Sequence, residues 1–277
     1  MRKFFLFVLF VIVAIIVCGC VSSFVQDDEF VFVKGKKNAY ISIQKIDINS
    51  FYICKHEVTQ QEWESVMGEH EGKFSGENLP VENISWYMAV IYCNRRSIQE
   101  GLTPCYSVKT NGNEIDWENI SSSYFPLTLD EKRDWKEIIC DFNANGYRLP
   151  TVFEWDYADK NSKTTIYDDI AWYDENSANR THDVMTKAPN DFGIYDMKGN
   201  VSEWCWDNEE SMFNGTEFYE SSVSWNINET ESRFFAGSDF SDKKQSTSNG
   251  LMMKLSFSVS PDRRNDTLGL RVVRSRF

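Results

Sequence analysis

Apolar and polar residues alternate between positions 41 and 52, but not in one register. Ile41 and Ile43 share one parity, Ile46 and Ile48 the other, and Tyr52 keeps the second. A period of two predicts half-buried strand. The change of parity predicts a bulge near Gln44-Lys45 or two short strands. The spacing then becomes helical. Thr59-Gln60-Gln61-Glu62 reads as a capping box, with Trp63, Val66 and Met67 on one face and Gly68 as the stop. A second helix is predicted from Ser85 to about Gln99, stopping at Gly101, with Trp86, Ala89, Val90 and Cys93 apolar. A third starts at Thr151, where Thr151-Val152-Phe153-Glu154 repeats the capping logic and Trp155 and Ala158 face inward. Stretches 102–147 and 159–192 read as loops. From about Ile170 the chain reads as turns and short strands, closing with Leu268 to Val273. A few helices on irregular, mostly antiparallel strands make the α+β class.

The N-terminus follows a different logic. Arg2 and Lys3 precede an apolar run from Phe4 to Val17, long for a signal core and short for a stable membrane span. Val17-Cys18-Gly19-Cys20 looks like a bacterial lipobox, which makes Cys20 the lipid-modified first residue of the mature protein. On that reading, residues 1–19 are a lipoprotein signal peptide, 20–35 a membrane tether and 36–277 one domain. The expected location is the bacterial cell envelope, lipid-anchored at the periplasmic face or the cell surface. An ordinary signal peptide cleaved near Ser22 and a retained anchor helix are the alternatives.

Composition narrows the function classes. The formal charge is −13, and −15 once Arg2 and Lys3 leave with the signal. An acidic chain without a basic stripe repels phosphate backbones, so no nucleic-acid partner is expected. Aromatic residues make up 15% of the chain against only 6 prolines, which points to a packed domain. Of the 7 cysteines, Cys18 and Cys20 belong to the export signal. Cys54, Cys93, Cys105, Cys140 and Cys205 remain, with no Cys-x-x-Cys for a zinc ribbon or redox pair. Export permits one or two disulfides with a thiol left over, and Cys93 with Cys105 is the preferred pair. His56, His70 and His182 are isolated, without ligand spacing.

Gly193 to Asp207 concentrates chemistry. It holds Asp196, the Gly199-Asn200 turn, Glu203, Trp204 and Trp206. An Asp-x-x-Gly-x-Val-x-Glu loop supplies side-chain and backbone oxygens of the kind a hard cation takes. Two carboxylates so close repel unless a cation or donors lie between them, and backbone amides are the other way to satisfy them. Elsewhere, Arg148 is placed to hold a buried carboxylate by a two-pronged hydrogen bond. Trp86, Trp155 and Trp204 are read as core.

Several segments together resemble the formylglycine-generating enzyme, or sulfatase-modifying factor, family. They are His56-Glu57-Val58-Thr59; Leu79-Pro80-Val81-Glu82-Asn83-Ile84-Ser85-Trp86; Gly146-Tyr147-Arg148-Leu149-Pro150-Thr151 with Glu154-Trp155; Gly193 to Trp204; and Pro261 to Arg264 with Gly269 to Val273. The order matches over about residues 35 to 275. The resemblance implies a modified C-type-lectin fold. It also implies structural calcium held by the Asp196 side chain, backbone oxygens of Gly199 and Val201, and the Glu203 carboxylate. Active members oxidise a protein cysteine to formylglycine with two cysteines and copper, after an Arg-Gly-Gly-Ser turn. The matching turn here is Phe235-Ala236-Gly237-Ser238, and the thiol positions fall on Ser241 and Ser246. Serine hydroxyls do not hold Cu(I) as thiolates do. Copper is therefore not expected, and Ser202 replaces the family's usual tryptophan.

A scaffold that keeps its calcium loop and loses its thiols reads as a non-catalytic lipoprotein that binds a peptide or protein ligand. Asp239, Phe240, Lys243, Lys244 and Met252 are the expected ligand-binding residues, unless that segment is only a solvated loop. An oxidoreductase that converts a protein cysteine to formylglycine, using a thiol such as Cys205, is the rival reading. A purely structural envelope protein is a third.

Overall fold

A computed structural model describes residues 29–41, 44–159, 166–208, 232–243 and 257–276. The N-terminal half holds β1 (Phe30–Val33), β2 (Lys36–Ile41), β3 (Gln44–Ile48), β4 (Phe51–Cys54), α1 (Gln60–Met67) and α2 (Trp86–Gln99). Short pieces follow: β5 (Tyr106–Ser107), β6 (Lys109–Thr110), β7 (Asn113–Glu114), α3 (Leu129–Lys136), β8 (Ile139–Cys140) and β9 (Tyr147–Arg148). The remainder is α4 (Val152–Asp159), α5 (Tyr167–Ile170), β10 (Ser202–Asn208), β11 (Arg233–Ala236), β12 (Phe257–Val259), β13 (Leu268–Gly269) and β14 (Val273–Ser275). This is a mixed α+β architecture with small sheets and long irregular connections. Among the described residues, no helix is long and apolar enough to cross a membrane.

The parity switch near residue 44 resolves as two strands, β2 and β3, paired antiparallel. Both early helices begin where capping chemistry places them. Thr59 Oγ1 accepts the Glu62 N–H, while Glu62 Oε2 accepts the Thr59 N–H at 2.7 Å. Gly68, at φ 85°, ends α1. Ser85 caps α2 through the Met88 N–H. α3 falls inside a stretch expected to be loop. Its own capping box, Thr128 with Glu131, was readable in the sequence. Its single buried side chain, Trp135, gave too weak an apolar period to show it.

Two four-stranded sheets carry the domain, ordered β1-β4-β14-β9 and β12-β11-β10-β13. Only β10 with β13 runs parallel among these pairs. α2 is buried on most of its circumference, as a helix wrapped by other layers must be. Trp86 and Trp204 knit it to β10: their indole N–H groups donate to the carbonyls of Cys205 and Ile84, both at 3.0 Å. A second apolar cluster joins Phe51 and Ile53 of β4 to Trp155 of α4 and to Cys205 and Val273. Arg148 does hold a buried carboxylate. Its guanidinium forks onto Glu154, with both N–O distances 2.7 Å.

Two expectations need correction. Cys54, Cys93, Cys105, Cys140 and Cys205 are all free thiols, so Cys93 and Cys105 are not paired. Both lie buried in the apolar interior. The segment expected to be tether up to residue 35 includes β1, which pairs with β4 through Phe30 opposite Cys54.

Candidate functional site

The Asp196–Glu203 loop is built on left-handed backbone. Asp196, Gly199 and Asn200 have φ of 56°, 80° and 59°. Gly199 is required twice over, because a Cβ there would lie 2.0 Å from the Trp172 carbonyl oxygen. That carbonyl accepts the Asn200 N–H at 2.8 Å. The Asn200 side chain donates to Glu57 Oε2 at 2.7 Å and to the His182 carbonyl at 3.1 Å. The Val201 N–H donates to Glu57 Oε1 at 3.0 Å. Glu57, which the sequence offered only as part of the family-like segment His56-Glu57-Val58-Thr59, is thus the buried acid that shapes the turn.

Three carboxylates meet one guanidinium in this interior. Arg271 reaches Glu203 from Nε and Nη2 at 2.8–3.1 Å, and also donates to the carbonyls of Cys54 and Tyr195. Trp155 Nε1 donates to Glu203 Oε2 at 2.6 Å. Asp196 Oδ2 accepts the Met185 N–H at 2.7 Å. Burial pushes the Glu57 carboxyl well above its ordinary value, and the charges of Asp196 and Glu203 push it further. Burial also raises Asp196. Arg271 is pulled down by burial but pushed up more by Glu203, so it stays charged.

These residues match calcium in charge and only partly in geometry. Asp196 lines a cavity of about 10 Å³ together with Asp159, Asn190 and Lys198. That is room for one water or ion. Glu203 already accepts from Arg271 and Trp155, so its oxygens are committed to donors. Its partner supplies the positive charge that the sequence argument demanded of a cation or donor.

The segment after Arg233 packs onto the same loop. Ser238 Oγ accepts the Gly199 N–H at 2.9 Å, and Ser202 Oγ donates to the Gly237 carbonyl. Asp239 is buried and its Oδ1 accepts both the N–H and the hydroxyl of Ser241. Phe240 is buried edge-on against Phe74, its N–H held by the Asn200 carbonyl and its carbonyl by Ser177. Asp239 and Phe240, expected among the ligand-binding residues, are thus both buried and held by contacts inside the domain. Lys243 is exposed. Lys244, Ser246 and Met252 lie outside the described residues. Cys205, the rival's thiol, is fully buried. Burial, then the carboxylates of Asp207, Glu203 and Glu154, pushes it well above an ordinary thiol. A thiolate there is strongly disfavoured.

Two further features were not visible in the sequence. Phe125, Leu127, Leu129, Ile139 and Phe142 are exposed, with Leu127 and Leu129 at 75% and 73%. They supply five of the nine large apolar side chains exposed among the described residues. All five fall between Phe125 and Phe142 in sequence; exposed apolar side chains mark a contact surface where they form one contiguous patch. Second, Glu29, Cys54 and His56 bring one ligand atom each to within 4.8 Å of one another. Cys54 and His56 are two residues apart, but Glu29 arrives only through the β1–β4 pairing.

The family described as the sulfatase-modifying factor enzyme 1-like domain matches residues 22–276. "Chaperone protein LppX" of Paenibacillus barcinonensis is 36% identical over 240 residues, covering 75% of this chain and 81% of that protein. Among solved structures, Treponema denticola variable protein 1 superposes with a TM-score of 0.69 at 30% identity, over 89% of this chain and 92% of its own. CarF shares the fold with a TM-score of 0.64 at 24% identity, over 90% and 98% of the two chains.

Proposed function

We propose a non-catalytic binding role, from the premise that this chain belongs to the sulfatase-modifying factor enzyme 1-like domain family. The partner is a polypeptide, held by the lipid-anchored domain in the bacterial envelope. One observation carries the reading. Where the family's chemistry needs a thiolate pair, Ser241 stands with its hydroxyl bonded to Asp239, and the last cysteine of the chain, Cys205, is sealed in the core. The buried Asp239 and Phe240 move the proposed contact away from that segment. The exposed apolar residues from Phe125 to Phe142 take their place. The name of the relative LppX, a chaperone, supports a partly unfolded polypeptide as the partner class.

The modified C-type-lectin fold and structural calcium belong to the same proposal. Surplus buried negative charge around Asp196 supports calcium, while the grip of Arg271 counts against Glu203 as its ligand. A calcium-dependent rise in Tm that Asp196→Asn abolishes would support this part.

Two assays test the role. Formylglycine formation is measured on a Cys-x-Pro-x-Arg peptide with added copper, and robust turnover overturns the reading. Light scattering then follows aggregation of a chemically denatured exported protein on dilution. The mature chain is expected to suppress it, and a Leu127→Asp/Leu129→Asp variant to suppress it less at unchanged Tm. Equal suppression by both proteins overturns the placement of the contact.

A further inference from the structure

Glu29, Cys54 and His56 lie at the end of the β1–β4 pair, beside Glu57 and joined to the Asp196 loop through the Tyr195 N–H on the Lys55 carbonyl at 2.7 Å. The register sets Phe30 opposite Cys54, and the Lys55 N–H donates to the Glu29 carbonyl at 2.8 Å, which fixes Glu29 beside the end of β4. Cys54 Sγ is 3.5 Å from Glu29 Oε1. Cys54 is fully buried and His56 nearly so, while Glu29 is partly open. The surroundings are organised for more than packing. The Glu57 carbonyl takes a hydrogen bond from His56 Nδ1 at 2.8 Å. A carbonyl accepts only, so Nδ1 carries a proton and Nε2 is the ring nitrogen left to face a metal. Ligating histidines commonly make this outer bond. Arg96 Nη2 holds both oxygens of Glu29 at 2.9–3.0 Å, as ligating carboxylates are themselves usually held. Glu62 Oε2 stands 3.9 Å from His56 Nδ1 but is already committed to Thr59.

We propose that Glu29, Cys54 and His56 form a zinc site, with water completing a four-coordinate shell. A thiolate, an imidazole and a carboxylate suit zinc and do not suit calcium, which takes oxygen ligands. Charge also balances. With Cys54 ionised, its thiolate and the Glu29 carboxylate together meet the charge of a divalent cation, while Arg96 is shared among Glu29, Glu62 and Glu100. Binding is an exchange in which Zn²⁺ enters and the Cys54 thiol releases one proton, with no change of oxidation state. The partly open Glu29 side provides access. The consequence is structural: the metal fastens the first strand of the domain to the sheet it begins.

The test uses the mature chain, stripped by chelator and titrated with Co²⁺ as a spectroscopic stand-in for zinc. A thiolate-to-cobalt charge-transfer band should saturate at one equivalent and bleach on addition of Zn²⁺. Cys54→Ser should lose the band. Cys140→Ser, which leaves the site intact, should keep it. Zn²⁺ should raise the Tm of the wild type and not that of Cys54→Ser, while Mg²⁺ at equal concentration has no effect on either. Absence of a charge-transfer band in the wild type overturns the proposal without any variant. A band that persists in Cys54→Ser also overturns it, by placing the thiolate elsewhere.

Discussion

Replacing Arg271 with methionine tests the buried charge cluster most directly. Arg271 is fully buried and donates to Glu203, to the Cys54 carbonyl and to the Tyr195 carbonyl. Its loss strands Glu203, itself 1% exposed, within the field of Asp196 and Glu57. Removing one member of a buried pair costs roughly 3–5 kcal/mol. Against a usual total of about 5–15 kcal/mol, that is a large share of the stability. In a domain of this size each kcal/mol moves the Tm by about 2–4 °C, so a drop of about 6–20 °C is expected. The sharper expectation is one of sign. Adding Glu203→Gln to Arg271→Met should recover stability, because the stranded charge disappears. Urea denaturation at neutral pH, followed by tryptophan fluorescence, gives the free energies of the wild type, both single variants and the double variant. An Arg271→Met variant within about 1 kcal/mol of wild type would refute the reasoning. So would a double variant no more stable than Arg271→Met alone.

Asp207 is pushed up to about 6, first by burial and then by the charge of Glu154. A carboxyl whose folded pKa is raised stabilises fully below its unfolded value and loses that contribution as pH rises through 6. The stability of wild type relative to Asp207→Asn should therefore fall by about 3 kcal/mol between pH 4 and 7. Parallel stability–pH curves for the two proteins would contradict this. Gly199→Ala, with φ 80° and the Trp172 carbonyl in the way, should cost at least about 1–3 kcal/mol in urea titration. An unchanged midpoint would rule out the tight approach. Thr59→Ala removes one side of the α1 capping box and should cost about 1 kcal/mol by the same measurement. A stabilised variant would show that the cap contributes nothing.

Local chemistry was the most legible part of this chain. Thr59 with Glu62, Ser85, and Thr151 with Glu154 announced three helices because each cap is contained within four residues. The fork of Arg148 on Glu154 was half legible: the arginine was recognised and its partner six residues on was not. What escaped depends on residues far apart in sequence. Glu57 meets Asn200 across 143 residues, and Arg271 meets Glu203 across 68. Neither distance leaves a period or a spacing to read. Phe240 reads as a ligand-binding residue in the sequence because nothing nearby announces Phe74 as its cover. Cys54 and His56 seemed ordinary for the same reason, since their third partner is Glu29.

The β1–β4 pairing also limits how far the domain can move. If the lipid sits on Cys20 as proposed, β1 beginning at Phe30 leaves residues 20–28 as the chain between anchor and folded body. Fully extended, those nine residues reach about 30 Å. A domain on so short a leash patrols only a thin layer beside its own leaflet. On the proposed role, a client would have to come close to that membrane, so the proposed anchor would restrict the choice of partner before any side chain touches it.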